Sequence, residues 1–197
     1  MENTDLAQTN NNVVAQTIDS RILTQNFIQN LNKSNPKNGV DTTADGKAKT
    51  LFISHVEMTL DEYFFGLWST ENFKWSVIQN EVVGSLDLVV CHPVNGMMIR
   101  RTGAASIIIQ VDKVPEGLKG KERNEWALNA SNKKSNALDM GFPKLKAECL
   151  KNAAQSLGKI FGRDLNRDKK QGQSDTFTPL IKSENSGGKS NAEKMAI

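Results

Sequence analysis

The chain has 197 residues, of which 38% are hydrophobic and 24% charged, so there is apolar material for one core, and disorder throughout is excluded. No apolar run approaches the roughly 20 residues of a membrane helix, and two distant cysteines, Cys91 and Cys149, exclude a disulfide scaffold and any CxxC motif. The net charge of +3 is unevenly spread: residues 51–112 carry three cations against seven anions, and residues 113–162 carry ten against five. A basic second half suits a partner rich in phosphate, because each neutralised phosphate releases counterions; ordinary solvated lysines account for the same excess equally well.

The first residues, 1–12, are polar, contain Glu2 and Asp5 and lack a secretory pattern, so a disordered N-terminus and a cytoplasmic protein are expected. Val14, Ile18, Ile22, Leu23, Phe27 and Leu31 recur at near-helical spacing and predict a helix over 13–31 with one apolar face. Asn32 to Lys49 reads as a loop. Thr59-Leu-Asp-Glu62 has the form of a capping box and predicts a short helix from Leu60 to Trp68, with Phe64, Phe65, Leu67 and Trp68 mostly in the core. Four strand-like runs follow, Lys74–Val83, Ser85–Cys91, Gly96–Arg101 and Ala104–Val111, with Pro93-Val-Asn-Gly96 as a hairpin turn.

Pro115 to Gly141 is long, charged and poor in apolar residues, with Trp126 and Leu128 as anchors, and reads as a functional loop. Gly141-Phe-Pro143 signals a helix start and Gly162 a stop. From 165 to 197 the composition predicts a flexible basic tail, leaving 13–164 as one domain. The fold class expected is α+β: an antiparallel sheet of three to four strands packed on a long amphipathic helix, with an N-terminal helix and a C-terminal tail.

In the helix predicted over 143–161, Lys144, Glu148, Lys151, Gln155 and Lys159 fall within about 80° of one another at ~3.6 residues per turn. Cys149, Leu150, Ala153, Ala154, Leu157, Ile160 and Phe161 form the opposite, sheet-facing arc, which Lys146 interrupts. Gly158 in a helix costs about 1 kcal/mol relative to alanine. A close backbone approach, from a strand or a neighbouring subunit, is the compensation expected there.

Glu148-Cys-Leu-Lys-Asn-Ala-Ala-Gln-Ser-Leu-Gly158 resembles the helix motif of Rad-fifty-two-type single-strand annealing proteins, which reads acidic, x, Leu-Lys-Arg-Ala, x, Arg-Ser-Phe-Gly. Leu150, Lys151, Ala153, Ser156 and Gly158 match. Trp75 before the first strand, the turn at Asn95-Gly96 and Gly103 closing a later strand follow the same order, over about 62–163. The resemblance implies a curved antiparallel sheet backed by this helix, and subunits side by side in a ring or helical filament. It also implies ATP-independent annealing of single-stranded DNA to a complementary strand in a basic groove.

Lys151 matches the groove lysine of the family. Asn152 and Gln155 stand where the motif has arginines, so groove charge is reduced and other residues must supply it. Lys144 and Lys159 share the helix stripe, Arg100 and Arg101 lie on a strand with at most one facing the groove, and Lys133 and Lys134 sit in the long loop where the family also has DNA-contacting lysines. A phage or mobile-element recombination protein is implied, in a bacterial host cytoplasm, with an exonuclease or a host single-strand-binding protein as further partners.

No enzyme site is legible. His55 and His92 have no triad or metal-pair spacing, and adjacent Cys91 and His92 would point to opposite faces of a strand. Gly187-Gly-Lys-Ser190 mimics a phosphate-binding loop, but Ser183 stands where the first glycine is required. Neither a metal nor another cofactor is expected. The competing reading is a non-annealing single-stranded-DNA-binding or structural interaction module; with one tyrosine, phosphate-led binding is favoured over base stacking.

Overall fold

The computed structural model describes residues 19–43 and 46–167. In chain order these form helix α1 (19–31), strands β1 (Val40–Thr42) and β2 (Lys49–Leu51), helix α2 (Ile53–Phe64) and strands β3 (Trp68–Ile78), β4 (Glu81–Cys91) and β5 (Met98–Ile108). Helix α3 (Gly120–Leu128), a 3-10 turn at Ala130–Asn132, helix α4 (Ala137–Gln155) and a second 3-10 turn at Lys159–Phe161 complete them. The fold is α+β, with four helices and two antiparallel sheets among the described residues: a β1-β2 ribbon and a three-stranded sheet ordered β3-β4-β5.

Strand alternation sets the core. Val82, Leu86, Leu88 and Val90 of β4 are buried on one face, and the register places Ile107, Gly103, Arg101 and Ile99 beside them on β5. Helix α4 lies across β4 and β5 and presents Leu145, Cys149, Leu150, Ala153 and Ala154, all buried. The approach is close because the strands offer glycines. A Cβ at Gly84 would come within 2.9 Å of both the Leu145 side chain and the Lys74 carbonyl, and one at Gly103 would collide with the Cys149 carbonyl and the Ala153 amide.

Those glycines explain a difference from the expected strands. The breaks expected at Gly84 and Thr102–Gly103 are absent and β4 and β5 run through them, so the four runs become three strands, because each glycine is a place where a helix touches the sheet, not a strand end. The true reversal lies at Gln79–Asn80, inside a run expected to continue from Lys74 to Val83. Gln79 takes φ 54°, a conformation for which glutamine carries no signal. Trp75 therefore lies within β3, not ahead of it, while the turn at Pro93–Gly96 is as expected, with Gly96 N–H donating to the His92 carbonyl at 2.8 Å.

In β3 one extra residue between Glu71 and Lys74 forms a bulge, with Asn72 at φ 52°. It reverses the strand's parity, so Trp68 and Thr70 before it and Trp75 and Val77 after it share the helix-facing side. Trp75 meets Phe142 edge to face at 4.7 Å.

Helix α2 starts at Ile53, seven residues before the expected Leu60. Thr59 is no cap: it is buried in mid-helix, and its hydroxyl donates to the His55 carbonyl at 2.7 Å, the competing use of a threonine side chain. The helix ends through a left-handed Phe65 and Gly66. That turn leaves Phe65 and Leu67, expected in the core, 74% and 59% exposed, and passes Trp68 into β3.

The expected long loop is partly helical. Helix α3 buries no residue and so has no apolar stripe to reveal it. Helix α4 begins at Ala137, whose burial explains the extra turns, and Pro143 is an interior residue instead of the first. It ends at Gln155, so Gly158 lies outside it in extended backbone. The close approach expected at Gly158 exists, but its partner is the Leu31 backbone at the end of α1. Gly162, at φ 83°, caps the last turn as expected.

The loop expected over 32–49 contains β1 and the start of β2. Leu165 packs against the core, and Asn166 clasps Lys49, accepting from its N–H at 2.6 Å and donating to its carbonyl at 2.8 Å. The disordered start expected over 1–12, the 13–18 part of the first helix and residues 168–197 of the tail lie outside the described residues. Among the described residues no helix is long and apolar enough to cross a membrane.

Substituting Gly103 with alanine is expected to cost about 1–3 kcal/mol by overpacking α4, whereas exposed Ala104→Ser should stay within about 0.5 kcal/mol of the parent. Urea unfolding midpoints of the two variants check both.

Candidate nucleic-acid interface

A groove of about 1330 Å³ runs between the outer edge of β5 and the β1-β2 ribbon, with one face of α4 as its floor. Four of the nine residues singled out from the sequence line it: Lys134, Lys144, Lys151 and Asn152. They come from α4 and the segment before it, and the ribbon supplies the far wall with Asp41, Thr42, Thr43 and Thr50. The three-residue strands of that wall carry no readable period, so the sequence did not reveal it.

Each cation has a distinct state. Lys134 and Lys144 are exposed, with no ion pair among the described residues. Lys151 is only 8% exposed; its ammonium donates to Glu148 Oε1 at 2.6 Å and to Thr50 Oγ1 at 3.1 Å. The pair ties α4 to the ribbon, so Lys151 is first a structural link, and its charge is largely answered by Glu148. Asn152 Nδ2 donates to the Ala104 carbonyl at 2.8 Å, which caps the edge of β5.

The edge is capped again further along, where Lys134 N–H donates to the Gln110 carbonyl at 3.1 Å and Val111 pairs with Lys133. Outward-pointing backbone alternates along an antiparallel edge strand. With Ala104 and Gln110 turned into the groove, Ser106 and Ile108 also present their N–H and C=O groups there. The groove thus combines two exposed ammonium groups with edge-strand backbone donors that are unpaired among the described residues, both suited to phosphate oxygens.

The remaining candidates lie elsewhere. Lys133 lies beside the groove, and its ammonium donates to Asn80 Oδ1, tying the segment before α4 to the β3-β4 turn. Gln155 is half-buried at the end of α4, its carbonyl accepting from Arg163 Nε at 3.1 Å. Lys159 pairs with Asp164 at 3.1 Å and lines a separate cleft that Arg101 also lines. Lys146, the blemish in the apolar arc, is exposed.

Arg100 is on the sheet face away from α4, across from Val89, where it bridges Glu71 at 2.9 Å and Asp87 at 3.1 Å. With two carboxylates around it, that face offers no excess positive charge. Hydrogen bonds from Asn72, Thr102 and Arg100 hold the Asp87 carboxyl down at about 2.

No protein-family model matches the chain, and no curated protein matches it. Among the described residues no group of three or more His, Cys, Asp or Glu side chains could hold a metal ion. His92 is buried and Cys149 is sheathed beneath α4, where its thiol meets the Gly84 carbonyl at 3.3 Å.

Asp87 has a folded pKa near 2 against an ordinary 3.8, so its stabilising contribution is complete above about pH 3.8 and is lost as pH falls through 2. The stability difference between the parent and Asp87→Asn should therefore shrink across that window. Chemical denaturation at a series of pH values measures it; a difference constant from pH 5 to pH 2 would contradict the assignment.

Proposed function

We propose that the chain is an ATP-independent protein that binds single-stranded DNA and anneals it to a complementary strand in homologous recombination, and is not an enzyme. The observation that carries the reading is the convergence of Lys134, Lys144, Lys151 and Asn152 on one groove beside an open strand edge. Phosphates would lie along the β5 edge, with bases outward and free to pair. Base pairing is downhill, so no nucleotide is consumed.

The charge available per subunit is small. Lys134 and Lys144 neutralise about two phosphates, which gives a salt slope near −1.4 per subunit for a single strand. Useful affinity then requires many subunits on one strand, because linked weak sites gain avidity by effective concentration. Strand β3 favours such an assembly: among the described residues it is an unpaired sheet edge, along which Trp75, Val77 and Ile78 are 53%, 49% and 56% exposed.

Subunits would form a homo-oligomeric ring or helical filament in which the sheet of each is curved and the grooves join. The protein would be of phage or mobile-element origin, act in the bacterial cytoplasm, and work with a partner exonuclease or host single-strand-binding protein.

Lys134→Glu with Lys144→Glu tests the reading without touching the buried Lys151, whose loss would mix unfolding with weakened binding. Oligothymidylate affinity at low salt should fall at least tenfold, and annealing of complementary oligonucleotides without nucleotide should approach the protein-free rate. Parental binding and annealing by the folded double variant would overturn it, as would a parent that does not accelerate annealing.

A further inference from the structure

On the far side of α1 from solvent, a second cleft of about 580 Å³ lies where α1, the start of β5 and the chain after α4 meet. Its floor is apolar and buried, formed by Leu31, Phe64 and Leu157, with Ile99 half-buried beside them. Its rim is cationic: Arg101, Lys159, Arg163 and Arg167 stand around a single acid, Asp164, which already pairs with Lys159 and Arg167.

The rim residues differ in what they can offer. Arg163 is structural, donating to the Gln155 and Ser156 carbonyls and to Asn32 Oδ1. Arg101 gives one N–H to the Arg100 carbonyl at 3.1 Å and forms no ion pair among the described residues. A guanidinium carries five donors, so most of its fork is available to a planar anion.

His92 also lines the cleft and is 5% exposed. Its Nδ1 accepts from Val94 N–H at 3.2 Å, which makes Nε2 the protonated nitrogen, and Nε2 is enclosed with no hydrogen-bond partner among the described residues. Burial lowers the His92 pKa. Its ring meets Phe27 of α1 edge to face at 4.9 Å, so the donor sits among aromatic walls.

We propose that this cleft is a docking site for an acidic peptide segment of a partner protein, a large apolar side chain entering over Leu31, Phe64 and Leu157 while a carboxylate meets Arg101. An apolar floor inside a cationic rim fits such a segment better than a bare phosphodiester chain, which would leave the floor uncovered. The site is separate from the β5 groove and shares no lining residue with it. It gives a strand-binding assembly a way to be recruited by another protein while its groove stays open.

The test uses the full chain and a fluorescein-labelled peptide, Asp-Asp-Glu-Asp-Leu-Phe with a free C-terminus, read by anisotropy. Saturable binding is expected. It should weaken about tenfold in Arg101→Gln, in keeping with loss of one charge-assisted pair, and severalfold in Ile28→Ser, which trims the cleft lip. The amide peptide Asn-Asn-Gln-Asn-Leu-Phe should bind at least tenfold more weakly. Circular dichroism verifies that both variants fold, and Lys134→Glu with Lys144→Glu should bind the peptide as the parent does.

Absence of saturable binding, or affinity unchanged in Arg101→Gln, overturns the proposal. So does competition by oligothymidylate combined with loss of oligothymidylate binding in Arg101→Gln, which would make the cleft part of a nucleic-acid path. Failure here leaves strand annealing by the parent intact, and failure of annealing leaves peptide binding intact, so the two ideas are separable.

Discussion

The contact between α4 and the bare backbone of β4 and β5 is the constraint on which the rest of the molecule depends. Gly84 and Gly103 remove the side chains that would hold the helix off the sheet, and Cys149, Ala153 and Ala154 keep the facing helix surface shallow. A helix seated this closely buries its apolar arc within a thin two-layer core. Its polar stripe is thereby turned to one side of the sheet, where it becomes the floor of the groove. The same seating fixes the end of α4 so that Gly158 can meet the Leu31 backbone and dock α1.

The polar stripe is not a uniform basic surface. Its middle lysine, Lys151, closes the gap to the ribbon through Thr50 and is answered by Glu148, while Lys144, nearer the start of the helix, faces solvent. Burying an ammonium is acceptable only with such partners. One residue type on one helix face thus serves two purposes, and position relative to the ribbon decides which. The weak net charge that results is consistent with a protein that gains affinity from repetition along a strand.

Legibility in the sequence followed burial. The amphipathic arc of α4, the hairpin at Pro93–Gly96 and the α+β class could be read because apolar spacing and turn chemistry mark them directly. Helix α3 could not, since it buries nothing, and the β1-β2 ribbon is too short to show a period. Glycine misled where it mattered most: Gly84 and Gly103 read as strand breaks, although their absent side chains are what lets α4 in. Gln79, at positive φ, placed a turn where no residue preference announces it, and Asn72, a residue that does tolerate positive φ, placed a bulge inside a run of strand where one asparagine alone marks no break. Of the candidate site, the lysines of α4 and of the preceding segment could be named, but Arg100 could not be placed, since its two acidic partners on β3 and β4 are brought to it only by strand register.

We propose that single-stranded DNA lies along the open edge of β5 between the Asn152 and Lys134 caps. Hydrogen–deuterium exchange of the full chain with and without oligothymidylate measures this at the backbone itself. Slowed exchange is expected at the Ser106 and Ile108 amides and in the β1-β2 ribbon, with α3 unchanged. Protection confined to the outer face of the sheet or to the cleft beneath α1, or no protection at a concentration that saturates binding, would contradict it.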